Sequence, residues 1–259
     1  MRNVTGAIIG AVLIGCANLA GAEIFKIKYI DEGSRSLETK DKSGDKLLWQ
    51  SQVKLGKTES EGKTYVYVTE DGTGIYGGNK NYNSWHSEAY YYFGKEKLTP
   101  YQTNLVFKDK NGKVVRTINK FYDPERKKAI CTIDGKTKEF DLKDDLIDKE
   151  MLGTALQNYP FEEKRDFVFH LLTNEPTLYK ITIKYRGRES LKALNREIEC
   201  HKLEMIPDLG VLNIFGVFVP KTYFWYKADF PHEFLKYEGL DGGLGTPYVV
   251  TRCMRYCCQ

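Results

Sequence analysis

The residues of this chain that could do chemistry are a set of glycines, four histidines, a handful of cysteines and scattered carboxylates, and their spacing argues against most of it. Gly72, Gly74 and Gly77 spell a literal G-x-G-x-x-G behind a plausible strand. A dinucleotide site needs a helix N-terminus directly behind such glycines to face the pyrophosphate. Residues 78–84 instead read GNKNYNS, which is loop sequence, so the glycines are expected to form a turn. His86, His170, His201 and His232 fall in no H-x-x-x-H or H-x-x-E-H pattern that would set two metal ligands on one helix face, and they read as surface residues. Cys200 and His201 are adjacent on an expected strand, so their side chains point to opposite faces. No spacing pairs a Cys or Ser with a His as nucleophile and base. Carboxylates gather at Asp144, Asp145 and Asp148 and at Glu162 and Glu163, where they read as caps and solvated faces. The expectation is a protein with no catalytic residue, no metal and no cofactor.

Cysteine usage depends on how the N-terminus is processed. Met1, Arg2 and Asn3 form a short basic start, and residues 4–15 are apolar and uncharged, the pattern of a signal peptide. That stretch is shorter than the roughly 20 helical residues a bilayer requires. Ala20, Gly21 and Ala22 suit ordinary signal peptidase, giving a signal peptide over 1–22 and a single β-rich domain over 23–259. Leu13, Ile14, Gly15 and Cys16 also read as a lipobox, in which 1–15 is removed and Cys16 is the lipidation candidate. The first route predicts a periplasmic protein. The second predicts one held on the periplasmic side of the outer membrane, with membrane contact only through its lipid anchor. Either way Cys131, Cys200, Cys253, Cys257 and Cys258 remain as disulfide candidates. Their odd number leaves one thiol over, and the expected role of the terminal cluster is to tether the tail to Cys131 or Cys200.

The elements that must position these residues are mostly strands. In 178–186, Tyr179, Ile181, Ile183 and Tyr185 alternate with Lys180, Thr182, Lys184 and Arg186, the two-residue rhythm of a half-buried strand. Similar runs occur at 64–69, 88–93, 103–108, 113–122, 128–133, 197–205, 222–228 and 233–238, which predicts a sheet of eight or more strands. Asp71-Gly72, Asn111-Gly112, Asp134-Gly135 and Asp241-Gly242 are expected hairpin turns, so neighbours should be antiparallel. One principal helix is expected over 145–158, where Ile147, Met151 and Ala155 recur at a spacing of four before Pro160, with a shorter helical or turn segment near 209–215. The predicted fold class is mainly β with some α: a curved antiparallel sheet or incomplete barrel with one principal helix.

With 39 Lys and Arg against 35 Asp and Glu, the net charge is only +4 and the charges are interspersed, so nucleic acid is a poor partner. The chain is rich in aromatics, with 18 Tyr and 13 Phe, densest at Tyr223, Phe224, Trp225 and Tyr226. These four, together with Tyr179, Ile181, Ile183 and Tyr185, either fill a packed core or line an apolar ligand pocket in a wide, curved sheet.

The order of several features resembles the exported bacterial proteins grouped as domain-of-unknown-function family 3108. These features are the run Tyr90 to Phe93 before Leu98, Thr99 and Pro100; Tyr185, Arg186, Gly187, Arg188 and Glu189; Cys200; and Tyr223 to Tyr226 with Pro231 and His232 before Lys236, Tyr237, Glu238 and Gly239. The resemblance spans roughly residues 47–250, and the Cys-rich tail lies outside its pattern. It implies an outline similar to the lipoprotein-carrier and lipoprotein-receptor half-barrels of the bacterial envelope, with a cavity suited to lipid or lipoprotein acyl chains. The leading expectation is a non-enzymatic envelope protein that binds a lipid or other hydrophobic ligand. The alternatives are an envelope scaffold with a filled core, whose sheet edges or unpaired Cys engage other envelope proteins, and an enzyme with an unrecognised polar cleft.

Overall fold

The computed structural model describes residues 26–193, 196–210, 220–243 and 245–257. The expected leader, Cys16 and Cys258 lie outside them, as does nearly all of the helical segment expected at 209–215. The first half of the chain is a meander of β1 (Gly33–Asp41), β2 (Leu47–Ser60), β3 (Lys63–Gly74), β4 (Ser84–Gly94), β5 (Lys97–Lys108), β6 (Val114–Asp123), β7 (Lys128–Ile133) and β8 (Lys136–Asp141). The second comprises β9 (Leu146–Asp148), the helix α1 (Leu152–Gln157), β10 (Phe167–Leu172), β11 (Leu178–Ala193), β12 (Arg196–Asp208), β13 (Thr222–Lys227), β14 (Phe234–Leu240) and β15 (Tyr248–Cys257). All nine expected strands are present, five of them within longer observed ones.

The fifteen strands of the described residues form one sheet in the order β8-β7-β6-β5-β4-β3-β2-β1-β15-β14-β13-β12-β11-β10-β9. The chain's first and last strands therefore pair at its middle, while β8 and β9, consecutive in sequence, occupy its two opposite edges. Only residues 142–145 join them, and five peptide steps reach about 18 Å at most. The sheet must curl until its edges nearly meet. Side chains cross the seam: Arg116 on β6 pairs with Glu175 after β10 at 2.8 Å, and Lys138 Nζ on β8 donates to the Pro176 carbonyl at 3.2 Å. Beneath them Tyr122, Ala129 and Cys131 from one edge pack on Leu146 and Leu172 from the other. The sheet is curved but not closed into a barrel, since its edge strands β8 and β9 do not pair, and it is mixed because β9 and β10 run parallel.

Several expectations are corrected. The helix predicted over 145–158 is α-helical only from Leu152 to Gln157, since 146–148 pairs with β10 and 149–151 is a 3₁₀ turn. Edge pairing outweighs the helical spacing, because a strand there satisfies its backbone groups against β10. The remaining helix is enclosed by the curl, with Leu152, Thr154, Ala155, Leu156 and Gln157 all buried. Asp71-Gly72 is not a turn but lies inside β3. Asn111-Gly112 and Asp134-Gly135 do join strands, as does the unpredicted Glu61-Gly62, whose φ values of 51° and 70° fit the tight turn between β2 and β3. His201, expected at the surface, is buried with its ring stacked on Phe161 at a centroid distance of 4.1 Å. Asp148, expected on a solvated face, is fully buried.

The tether predicted from the tail to Cys131 or Cys200 is also absent. Cys131 and Cys200 are free thiols, and with Cys253 they lie in three separate apolar clusters, too far apart in the sheet order to meet. Burial pushes the Cys131 and Cys200 thiols up to about 11, which keeps them protonated and poor nucleophiles.

Candidate functional site

Inward-facing residues of the curled sheet do not fill the space above α1. They enclose a cavity of about 280 Å³, bounded by β1 to β3 on one side, β10 to β15 on the other and the turn into α1 below. Its apolar lining includes Leu37, Val53, Leu171, Ile181, Met205 and Phe224. Trp49 and Tyr76 form one end, where Tyr76 and Trp85 bring their rings to 4.8 Å.

Of the pocket residues expected from sequence, Tyr179, Ile181 and Phe224 line this cavity. Ile183 and Tyr226 face the same interior but are packed solid, with the Tyr226 hydroxyl donating to the Gly153 carbonyl at 2.9 Å. Tyr185 packs on Tyr159 and Phe161 and bonds His201 Nδ1 at 3.1 Å. Tyr223 and Trp225 point the other way. They sit on the outer face with Cys200 and Leu235, under the ammonium groups of Lys202 and Lys236, and the Trp225 indole donates to Glu189 at 2.5 Å. The tetrad is thus split by strand alternation, with Phe224 the one member at the cavity.

Sequence reading missed the polar wall of the site. Arg35, Glu70, Lys149, Glu150 and Asp241 all border the cavity, together with the Tyr237 ring. Lys149 Nζ donates to the Tyr76 hydroxyl at 2.9 Å and to the Asp241 carbonyl at 3.1 Å, and these partners, with the Asp241 and Glu150 carboxylates, hold its pKa well above the usual lysine value despite burial. The Glu150 carboxylate accepts from Asn174 Nδ2 at 2.7 Å. Burial raises the Asp241 carboxyl, partly offset by Lys149. A sign of this wall was present in the strand alternation, since Glu70 falls in phase with Val66 and Val68 and Arg35 in phase with Leu37 and Thr39.

Glu70 is the most perturbed acid. Burial first, then the neighbouring Glu150 carboxylate, push it from 4.5 up to about 7, against the opposing pull of Ser51, Lys149 and Arg35. Glu70 is half-buried and borders the partly open cavity, and burial is the first influence on its carboxyl. Folded Glu70 therefore holds a proton between 4.5 and about 7 that the unfolded chain has lost, and stability falls as pH rises across that window. Glu70→Gln is expected to abolish this decline. The variant should match the parent at pH 4 and exceed it by on the order of 2 kcal/mol at pH 8, as read from urea unfolding at each pH; equal slopes in the two proteins would refute the assignment.

Among the described residues no three His, Cys, Asp or Glu side chains stand close enough to hold a metal ion, and no helix is long and apolar enough to cross a membrane. No curated protein matches the chain. Among solved structures it is similar to the β-barrel-like protein of domain of unknown function DUF1849 from Brucella abortus. That match has a TM-score of 0.53 at 6% identity and covers 88% of this chain and 98% of that one, a likeness of fold alone. The hypothetical lipoprotein YmcC from Escherichia coli K12 also matches, with a TM-score of 0.31 at 11% identity over 86% of this chain and 84% of that one. The family described as "Protein of unknown function (DUF3108)" matches residues 79–238, more than half of the sequence and nearly all of β4 to β14, and the chain is a member of that family.

Proposed function

We propose that this is a non-enzymatic protein of the bacterial envelope that binds a single amphiphile in the cavity of its curled sheet. One observation carries the reading: the inner face that could have packed solid encloses about 280 Å³ between an apolar lining and a charged wall. Ligand sites run from about 300 to 1,000 Å³, and an apolar cavity of about 150 Å³ already admits benzene. The volume thus suits one alkyl chain of roughly ten carbons and is too small for a multi-chain lipid. The export pattern at the N-terminus supports an envelope location, either free in the periplasm or anchored to the outer membrane through Cys16.

Native mass spectrometry of gently purified protein is expected to show one bound amphiphile per chain. Leu37→Trp, which places an indole in the cavity from β1, should remove that mass while leaving the circular dichroism of the sheet unchanged. Protein that carries no ligand and takes up none of a series of ten-carbon amphiphiles would overturn the reading.

A further inference from the structure

The cavity's charges are not equally committed. Lys149 is fixed by Tyr76 and Asp241, and Glu150 by Asn174. Asp241 Oδ2 closes no hydrogen bond, but the Lys149 charge beside this carboxylate already compensates it. Arg35 is different. Its guanidinium borders the cavity and stands 6.0 Å from the centre of the Phe234 ring, yet it makes no hydrogen bond or ion pair with any described residue. Five N–H donors in a half-enclosed, largely apolar chamber are unmatched.

Strand register surrounds this cation with further donors. Arg35 on β1 lies opposite Val53 on β2, and Val53 opposite Glu70 on β3, so Arg35 and Glu70 form one inward-facing row with Cα atoms roughly 10 Å apart. Both side chains are long enough to reach over the short Val53 between them. Ser51 faces the same chamber one step along β2, and its hydroxyl is shielded and closes no hydrogen bond, although it lies near enough to Glu70 to favour the ionised carboxyl. While Glu70 keeps its proton, all three groups are donors, and one small oxyanion would satisfy them together. An ammonium would leave Arg35 and Ser51 unmatched and add a second cation beside the first.

Resting on the amphiphile-binding reading above, we propose that Arg35, with Ser51 and Glu70 beside it, forms a head-group site for the carboxylate of a single-chain fatty acid whose alkyl tail lies along Leu37, Val53, Ile181 and Phe224. Among the described residues Arg35 is the one uncommitted cation in the chamber, which fits a monoanion, whereas a phosphate monoester carries more charge than one guanidinium balances. A planar fork binding a planar carboxylate at two oxygens also fits the geometry of the pair. Arg35 and Glu70 lie outside the stretch that matches the family.

The test is isothermal titration of delipidated full-length protein at pH 6 with decanoate, decanol, decylamine and decyl phosphate. Decanoate is expected to bind about 10- to 100-fold more tightly than decanol, the range for a charge-assisted hydrogen-bonded pair. Arg35→Met should erase that difference without weakening decanol, and Arg35→Lys, which keeps the charge but loses the fork, should fall between. Should Arg35→Met fail to fold, the head-group series on the parent protein and on Arg35→Lys still decides. Equal binding of decanoate and decanol overturns the head-group site while leaving the cavity reading intact, and a preference for decylamine or decyl phosphate overturns the carboxylate assignment. If none of the four binds, the cavity reading falls and the head-group site with it.

Discussion

Replacing Lys120 with methionine is expected to lower the unfolding free energy by about 3–5 kcal/mol, the usual cost of stranding one member of a buried ion pair. Lys120 on β6 and Asp148 at the end of β9 are both fully buried and meet at 2.6 Å. The carboxylate has no capacity left over. Its Oδ2 also accepts from the Tyr122 hydroxyl, and its Oδ1 accepts from the Tyr91 hydroxyl at 3.2 Å and the Glu150 backbone N–H at 3.0 Å. Asp148 thus ties β4 and β6 of one half of the sheet to β9, the edge of the other, and caps the turn into α1. Burial and the Asp148 charge raise both tyrosines well above their ordinary pKa, so they act as donors at any physiological pH. Urea unfolding of Lys120→Met and Asp148→Asn should show the loss in each. The double variant should recover at least about 2 kcal/mol of the summed losses, because it removes both charges together. Hydrogen exchange adds a local readout, with β9 and β10 losing protection first. Single variants within about 0.5 kcal/mol of the parent would show that the seam is held by apolar packing alone.

The same residues show where the sequence was legible and where it was not. Alternation located the strands because the two-residue period is a property of the backbone, independent of which partner a strand finds. It could not assign faces when tertiary context reversed the usual chemistry. In β6 the apolar Phe121 points outward, 44% exposed, while the lysine beside it points in, because Asp148 waits across the seam. In β3 Glu70 is inward and Asp71 outward. In β13 the four consecutive aromatics were visible as a candidate site, yet only Phe224 reaches the cavity, since alternation sends Tyr223 and Trp225 to the outer face. The short helix and β9 were read as one helix because their apolar spacing fits both, and only the pairing of 146–148 with β10 decides. The polar wall stayed hidden for a further reason. Arg35, Glu70, Lys149 and Asp241 are brought together from four distant stretches of chain by a sheet order that no local pattern encodes.

The glycines that imitate a phosphate loop have a packing explanation with a large measurable effect. Gly72 faces Trp85 across the β3–β4 ladder, and a Cβ on Gly72 would lie 2.0 Å from the indole, far inside contact distance. The ring occupies the space a side chain would take, buried against Trp49, Tyr76 and Phe107 at the closed end of the cavity. Gly74 and Gly77 serve the backbone instead, with φ values of 128° and 62°. Trp85→Ala should therefore cost about 3–5 kcal/mol through lost burial and the void it leaves. Gly72→Ala should cost about 1–3 kcal/mol by driving the indole from its rotamer, and it should also weaken amphiphile binding because Trp49 and Tyr76, which the indole supports, form the cavity's end. The two effects share one space, so they should not add. In a Trp85→Ala background the added methyl meets no ring, and Gly72→Ala should become nearly neutral, a coupling of about 1–3 kcal/mol in a double-mutant cycle followed by urea unfolding. Strict additivity of the two losses would mean that the glycine is required by the strand's backbone and not by the indole that covers it.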